Sequence, residues 1–247
     1  MLNARPVGWS GPKTASLQKA DIVSLQLIYY SQLKGLKNMS EYQLHCLAES
    51  GNAYKAALML ELCGLDWSSI LVDFPNGEMG TAKFRQNINQ FGEVPVLAHK
   101  DLLLSQTGVI LNYLSEKTGQ FGPANKQEEY EILRWILFDN HKFTSYMATR
   151  RFALRFMKTG DTEITNFLGD RVKNALEIVE KHMADRDFIA TPTLSIADIS
   201  MCGYLYYGDE LEQNLGSYSN INAWIDRIAA TDGWKHPYDL MPRAYPS

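Results

Sequence analysis

Three cysteines and five histidines hold the readiest chemistry in this chain, and their spacing limits what that chemistry can be. Cys46, Cys63 and Cys202 are odd in number, widely separated and outside any Cys-x-x-Cys pair. A disulfide framework or a zinc knuckle needs closer, paired thiols. His45, His99, His141, His182 and His236 never stand at i, i+4 with an acid between them, so metal-ligand spacing is absent. Any cofactor should therefore be organic, and the unpaired thiols fit a reducing cytoplasm. What remains is a set of polar groups at turns of the chain. Ser50 stands where alternating apolar residues give way to helical spacing, and its hydroxyl can cap a helix starting near Ala53. Pro95 interrupts an apolar run, although proline cannot donate to a sheet ladder and normally stays at edges or in special turns. A cis Val94-Pro95 bond accounts for it, and so does a plain loop-to-strand proline. Gln106 and Thr107 give another helical stretch an ordinary polar N-terminus.

Charge and hydropathy exclude two partner classes. The formal net charge of -4, from 24 basic residues scattered among 28 acidic ones, builds no cationic stripe for phosphates, so nucleic acid is not expected. No apolar run approaches the ~20 residues of a membrane helix. The best short one, Ile22 to Tyr30, is interrupted by Ser24 and Gln26, and no membrane contact is expected.

The elements that position these groups follow from periodicity. Tyr42, Leu44 and Cys46 alternate with Gln43 and His45, which reads as a strand. Ala53, Ala56, Ala57 and Leu60 then recur at helical spacing, with Gly64 at the C-terminal stop. Ile70 to Val72 gives a second apolar stretch before the loop Pro75 to Gly80, and a short helical segment covers Lys83 to Ile88. Val94 to Leu97 and Leu102 to Leu104 flank the polar turn His99-Lys100-Asp101, a hairpin signal. Val109, Ile110, Tyr113 and Leu114 restore helical spacing up to Gly119. The order is β-α-β-α-β-β-α. Beyond it strand signals vanish, and Leu133, Ile136 and Leu137, then Leu168, Val172, Ala175, Val179 and Met183, keep helical periods. Ser195 and Asp198 form a capping box with a Leu194/Ile199 staple, and Tyr218 to Ala230 gives a last helix. The expected fold class is α+β in two domains: a thioredoxin-like domain over residues 39–119, a linker over 120–126 and an all-helical domain over 127–247. Residues 1–38 show no period and read as a peripheral, dispensable extension; a helix over Leu17 to Leu36 is the competing reading.

Taken together, these pieces resemble the cytosolic glutathione transferase family, in its bacterial serine-type or serine/asparagine-type forms. The resemblance rests on Ser50-Gly51-Asn52-Ala53-Tyr54-Lys55, on Gly92-Glu93-Val94-Pro95-Val96-Leu97, and on Gln106-Thr107-Gly108-Val109-Ile110 followed by Tyr113-Leu114. Leu194 to Asp198 and Asn220 to Ile228 extend it through the helical half. It implies an enzyme that binds glutathione as co-substrate, activates its thiol and conjugates it to a small-molecule electrophile, as in detoxification, and it implies a homodimer. Ser50, or Asn52 two residues later, would contact the sulfur. Val94, preceding Pro95, would pair its main chain with the cysteinyl unit, and Gln106 and Thr107 would hold the γ-glutamyl end. Tyr42 lies at the wrong end of its strand for a tyrosine-type site, and neither Cys46 nor Cys63 lies in the loop. Asn89-Gln90 and Gln106 depart from the family's commoner residues. Trp135, Phe138, Asn140, His141, Phe143, Tyr146 and Arg150 place aromatic and polar groups along one long helix, from which Phe138, His141 and Tyr146 are expected in the electrophile pocket. Two other activities fit the same residues: a glutathione-dependent disulfide reductase or peroxidase, and a non-catalytic ligand-binding or protein-interaction member of the fold.

Overall fold

The computed structural model of the protein describes residues 40–245. The expected extension, residues 1–38, and the competing helix over Leu17 to Leu36 lie outside the described residues. Among the described residues no helix is long and apolar enough to cross a membrane.

Strand β1 (Tyr42–Cys46) buries Tyr42, Leu44 and Cys46 and leaves Gln43 and His45 half-buried, as its alternation requires. Helix α1 (Gly51–Leu62) ends at Gly64, which takes φ 63°. There the N–H of Gly64 donates to Glu61 O at 2.9 Å and that of Leu65 to Leu60 O at 3.1 Å, a crossed pair of bonds that needs a left-handed residue. The apolar face of Ala53, Ala56, Ala57 and Leu60 is buried, but so are Tyr54, Lys55, Leu58 and Met59. This helix is covered on every side because it lies between the sheet and the helices of the second half.

Strand β2 (Trp67–Leu71) starts earlier than the apolar stretch Ile70 to Val72, because an edge strand pairing only with β1 tolerates Ser68 and Ser69. A short helix α2 (Ala82–Asn87), strands β3 (Val96–His99) and β4 (Leu102–Ser105), and helix α3 (Thr107–Thr118) complete this half. The sheet order is β2-β1-β3-β4, with β1 parallel to β2 and antiparallel to β3, and β3 antiparallel to β4. The parallel pair requires a crossover, which α1 supplies. His99 belongs to β3 and pairs with Leu102, so Lys100 (φ 55°) and Asp101 alone make the hairpin turn. The Val94-Pro95 bond is cis. This is the thioredoxin-like arrangement expected from the sequence.

The second half is helical throughout. Helix α4 (Lys126–Phe138) runs through a π-turn (Asp139–Phe143) into α5 (Thr144–Arg151), and a second π-turn (Phe152–Phe156) comes next. The stripe expected on one long helix is thus interrupted. Thr144 N–H reaches back to Asp139 O and Met157 N–H to Phe152 O, five residues each, and each wider turn rotates the next stretch of chain onto a new face. In α4 the buried residues are Ile132 and Trp135, while Leu133 and Leu137 are exposed. Helix α6 (Glu163–His182) buries Leu168, Val172, Ala175 and Val179. Helix α7 (Ile196–Cys202) is wholly buried and begins at the expected capping box. The Asp198 carboxylate accepts from Ser195 N at 2.9 Å, Ser195 Oγ at 2.8 Å, Ile189 N at 2.7 Å and Trp224 Nε1 at 2.9 Å. The cap is therefore also the bolt to helix α8 (Ser219–Ala229). That helix is not the last, because α9 (Pro237–Leu240) comes after it and leads the chain back to the sheet half.

One buried cluster ties the halves together. Lys55 Nζ on α1 donates to Asp139 Oδ2 and to Thr144 Oγ1, both at 2.7 Å. Thr144 Oγ1 donates to Asp139 Oδ1 at 2.6 Å and Ser200 Oγ to Asp139 Oδ2 at 2.7 Å. Lys55 and Asp139 are 1% and 3% exposed, so each charge depends on the other and on the Thr144 and Ser200 hydroxyls to offset its desolvation.

Candidate active site

The segment Leu47-Ala48-Glu49-Ser50 carries the chain from the end of β1 into α1. Ser50 is the cap residue, with φ −93° and ψ 108°, and its Oγ accepts from Ala53 N–H at 3.2 Å. Accepting leaves the hydroxyl proton free to donate elsewhere. Gly51 follows because no larger residue fits: a Cβ there would lie 2.5 Å from the Tyr204 ring. Asn52 is in the first turn of α1, and its carbonyl accepts from Thr107 Oγ1 at 3.4 Å, which draws the N-termini of α1 and α3 together.

The helical half grips this segment. Arg151 Nη1 donates to Glu49 O and Tyr207 OH to Ala48 O, both at 2.6 Å, while Ala48 N–H donates to Pro242 O at 2.8 Å. Arg151 is buried, stacked 4.1 Å from the Tyr207 ring centroid and paired through Nε with Glu210 Oε2 at 3.2 Å. Burial would raise the Glu210 carboxyl, but the bonds from Arg151 and Tyr238 outweigh it and hold the group below the usual carboxylate range.

Across from Ser50, Val94 precedes the cis Pro95 at the start of β3. Gln106 caps α3 at φ 69°, ψ 112°, a conformation that costs a residue with a Cβ roughly 1–3 kcal/mol and that clusters at functional positions. Its Nε2 donates to Glu93 Oε2 at 3.1 Å.

Two cavities share this wall. One, of about 570 Å³, is lined by Ser50, Asn52, Val94 and Gln106 together with Phe74, Phe152, Phe156, Tyr204 and Tyr245. The other, of about 640 Å³, is lined by Asn52, Val94, Pro95, Gln106 and Thr107 and runs past Val109, Leu133 and Leu137. Phe138, His141 and Tyr146 line neither. Phe138 packs on Trp135 and Phe143, His141 is exposed and Tyr146 packs on the core. The π-turn at Asp139–Phe143 is the physical reason, and the aromatic residues that do reach the cleft come from the next turns, at Phe152 and Phe156.

The thiols are poor nucleophiles. Burial pushes Cys46 up to about 12 and raises Cys63 and Cys202 as well. Tyr42 is buried against His99, with ring centroids 4.1 Å apart, and burial raises its phenol too. Of the residues that sequence reading missed, Glu49 directly precedes Ser50, while Arg151, Tyr204 and Tyr245 reach its cavity only through the fold. The doublet Arg150-Arg151 among aromatic residues was the one local signal.

Residues 41–116 match the family model described as Glutathione S-transferase, N-terminal domain, and residues 148–232 the one described as Glutathione S-transferase, C-terminal domain. A possible glutathione S-transferase structure from Rhodopseudomonas palustris is 30% identical, with a TM-score of 0.74 over 80% of this chain and 98% of that one. A glutathione S-transferase structure from Pseudomonas fluorescens is also 30% identical, with a TM-score of 0.74 over 81% of this chain and 100% of that one. An Arabidopsis thaliana glutathione S-transferase is 27% identical, over 82% of this chain and 87% of its own length. Sheet order, cis proline, helical partner and these matches agree, and the chain belongs to the glutathione S-transferase family.

Proposed function

We propose that the protein binds glutathione in the cleft between β1, β3 and α3, holds its sulfur as thiolate and adds it to a small electrophile. The observation that carries this reading is the shared wall: Ser50, Asn52, Val94 and Gln106 converge on one cavity that Phe74, Phe152, Phe156, Tyr204 and Tyr245 also line. A free thiol near pKa 8.5 must fall by about 1.5–2 to be mainly ionised at neutral pH, about 2–3 kcal/mol. A hydroxyl bond to an anion supplies roughly 1.5–3 kcal/mol and a helix N-terminus about 0.3–1 more. Ser50 offers both, since accepting from Ala53 N–H fixes its oxygen at the N-terminus of α1 while its proton remains available. Asn52 Nδ2 is the rival donor. Val94 pairs its main chain with the cysteinyl unit beside Pro95, and the N-terminus of α3, with Gln106 and Thr107, receives the γ-glutamyl carboxylate. The thiolate then forms a bond to the electrophilic carbon as the leaving group departs with its electron pair.

The chain pairs with a second copy through the exposed Val109, Leu133 and Leu137 on α3 and α4, an apolar face beside the larger cavity. It works in the reducing cytoplasm, which suits Cys46, Cys63 and Cys202 as free thiols. The test is a glutathione assay against an aryl halide, a mixed disulfide and a hydroperoxide. Fastest turnover of the aryl halide supports conjugation. Preference for either other substrate replaces it with the reductase or peroxidase activity, and no turnover at all leaves the ligand-binding role.

A further inference from the structure

Arg151, the last residue of α5, is 2% exposed and lines the cavity that holds Ser50. Burial alone would lower its guanidinium, but the bonds to Glu210 outweigh it and the group stays charged. Nε donates to Glu210 Oε2 and Nη2 to Tyr238 OH, both at 3.2 Å, while Tyr238 OH donates to Glu210 Oε1 at 2.8 Å. The Tyr207 ring stacks on the same guanidinium, 4.1 Å from centroid to carbon. With its edge and one face fixed in this way, Arg151 turns Nη1 to Glu49 O at 2.6 Å. Tyr207 is held by that stacking and by an edge-on contact with Tyr238, ring centroids 5.6 Å apart, and its hydroxyl donates to Ala48 O at 2.6 Å. Two successive peptide groups before Ser50 are thus fastened by one network in the helical half.

Fastening a carbonyl does not by itself require a cation. Tyr207 satisfies Ala48 O with a neutral hydroxyl, and a buried guanidinium carries a far larger desolvation cost. What the guanidinium adds is a planar fork of donors, which fixes a direction as well as a bond. Glu49 O and Ser50 N share one peptide plane, and Ser50 N–H closes a turn onto Leu47 O at 3.1 Å. Pinning that plane sets where Ser50 stands. Resting on the glutathione reading above, we infer that Arg151 and Tyr207 are positioning residues for the reaction: by fixing the peptide groups on either side of Glu49, they aim the Ser50 hydroxyl at the sulfur. A donor already aimed at the developing charge stabilises it without reorganisation, and a loosened one does not.

The test uses the full chain as wild type, Tyr207→Phe, Arg151→Lys and Arg151→Met. Two quantities are measured: ionisation of bound glutathione, by thiolate absorbance against pH, and affinity for S-methylglutathione, which has no thiol to ionise. Tyr207→Phe keeps the ring and removes one bond, so bound glutathione should ionise about 0.5 higher. Arg151→Met should raise that value by about 1, and Arg151→Lys by less because a charged donor remains. Less thiolate at neutral pH should slow turnover there by about twofold in Tyr207→Phe and about fivefold in Arg151→Met, with recovery by about pH 9. Affinity for S-methylglutathione should stay within about twofold in every variant. Should Arg151→Met not fold, Tyr207→Phe and Arg151→Lys decide the matter. Unchanged ionisation in the folded variants overturns the inference, and so does a loss of S-methylglutathione affinity as large as the loss of turnover, which is what a collapsed loop would give. Either result leaves the glutathione reading standing; a wild type that binds neither glutathione nor the probe removes both.

Discussion

Replacing Asp139 with alanine removes the anion that faces Lys55. Among the described residues the ammonium, 1% exposed, would keep the Thr144 hydroxyl as its hydrogen-bond partner, and Ser200 Oγ would lose its acceptor. Breaking a buried ion pair from one side costs about 3–5 kcal/mol, because the surviving charge stays desolvated. Against a total stability of about 5–15 kcal/mol this is severe, and for a chain of this size it lowers the melting temperature by roughly 6–20 °C. The same account makes an opposite demand on the double variant. Lys55→Met with Asp139→Leu removes both charges and fills the space with apolar atoms, so most of the loss should return. Urea unfolding of wild type, Lys55→Met, Asp139→Leu and the double variant closes the cycle, with an expected coupling of at least about 2 kcal/mol. A loss below about 1 kcal/mol in Asp139→Ala, or a double variant as unstable as the summed singles, would refute the reasoning.

Other outcomes follow from single sites. Asp198→Ala strands four buried donors at once and should cost at least about 3 kcal/mol in urea unfolding, well above an ordinary cap. Burial lowers His182 below the usual imidazole range, although its bond to Ile189 O acts the other way, and His45 is lowered in the same sense. Both groups are neutral above about pH 6.5 in either state, and below it the unfolded chain takes up protons that the folded chain refuses. Stability should therefore fall as pH drops from about 6.5 towards 5, and His182→Gln should flatten part of that slope. Leu133→Glu puts a charge on the exposed apolar face of α3 and α4 and should shift sedimentation from dimer to monomer without lowering the melting temperature by more than a few degrees.

The features legible in the sequence were local. Strand β1, helix α1 with its Gly64 stop, the hairpin and the Ser195/Asp198 cap are all written in residues a few positions apart, where periodicity and turn chemistry act. Ser50 was legible for the same reason, as a cap at a strand-to-helix junction, whereas Asn52 was singled out only by the family resemblance. The grip on that junction was not visible, because Arg151, Tyr207 and Tyr245 reach Glu49 and Ala48 from 102, 159 and 196 residues away. That Phe138, His141 and Tyr146 line neither cavity has a different origin. A stripe projected at helical period from Phe138 to Tyr146 assumes an unbroken α-helix, and each π-turn inserts a rotation that no apolar spacing announces. Lys55, in a helix whose other buried residues are largely apolar, was legible as a residue but not as half of an ion pair whose other half lies in the next domain.

The sulfur itself gives the most direct test. Thiolate absorbance of bound glutathione, titrated against pH on wild type, Ser50→Ala and Asn52→Ala, reports the one quantity the proposed mechanism depends on. The wild type should ionise bound glutathione at about 6.5–7, below the free thiol. Ser50→Ala should raise that value by about 1–2 and Asn52→Ala by less. A larger shift in Asn52→Ala would transfer the role to the amide, and an unchanged titration in both variants would contradict the account.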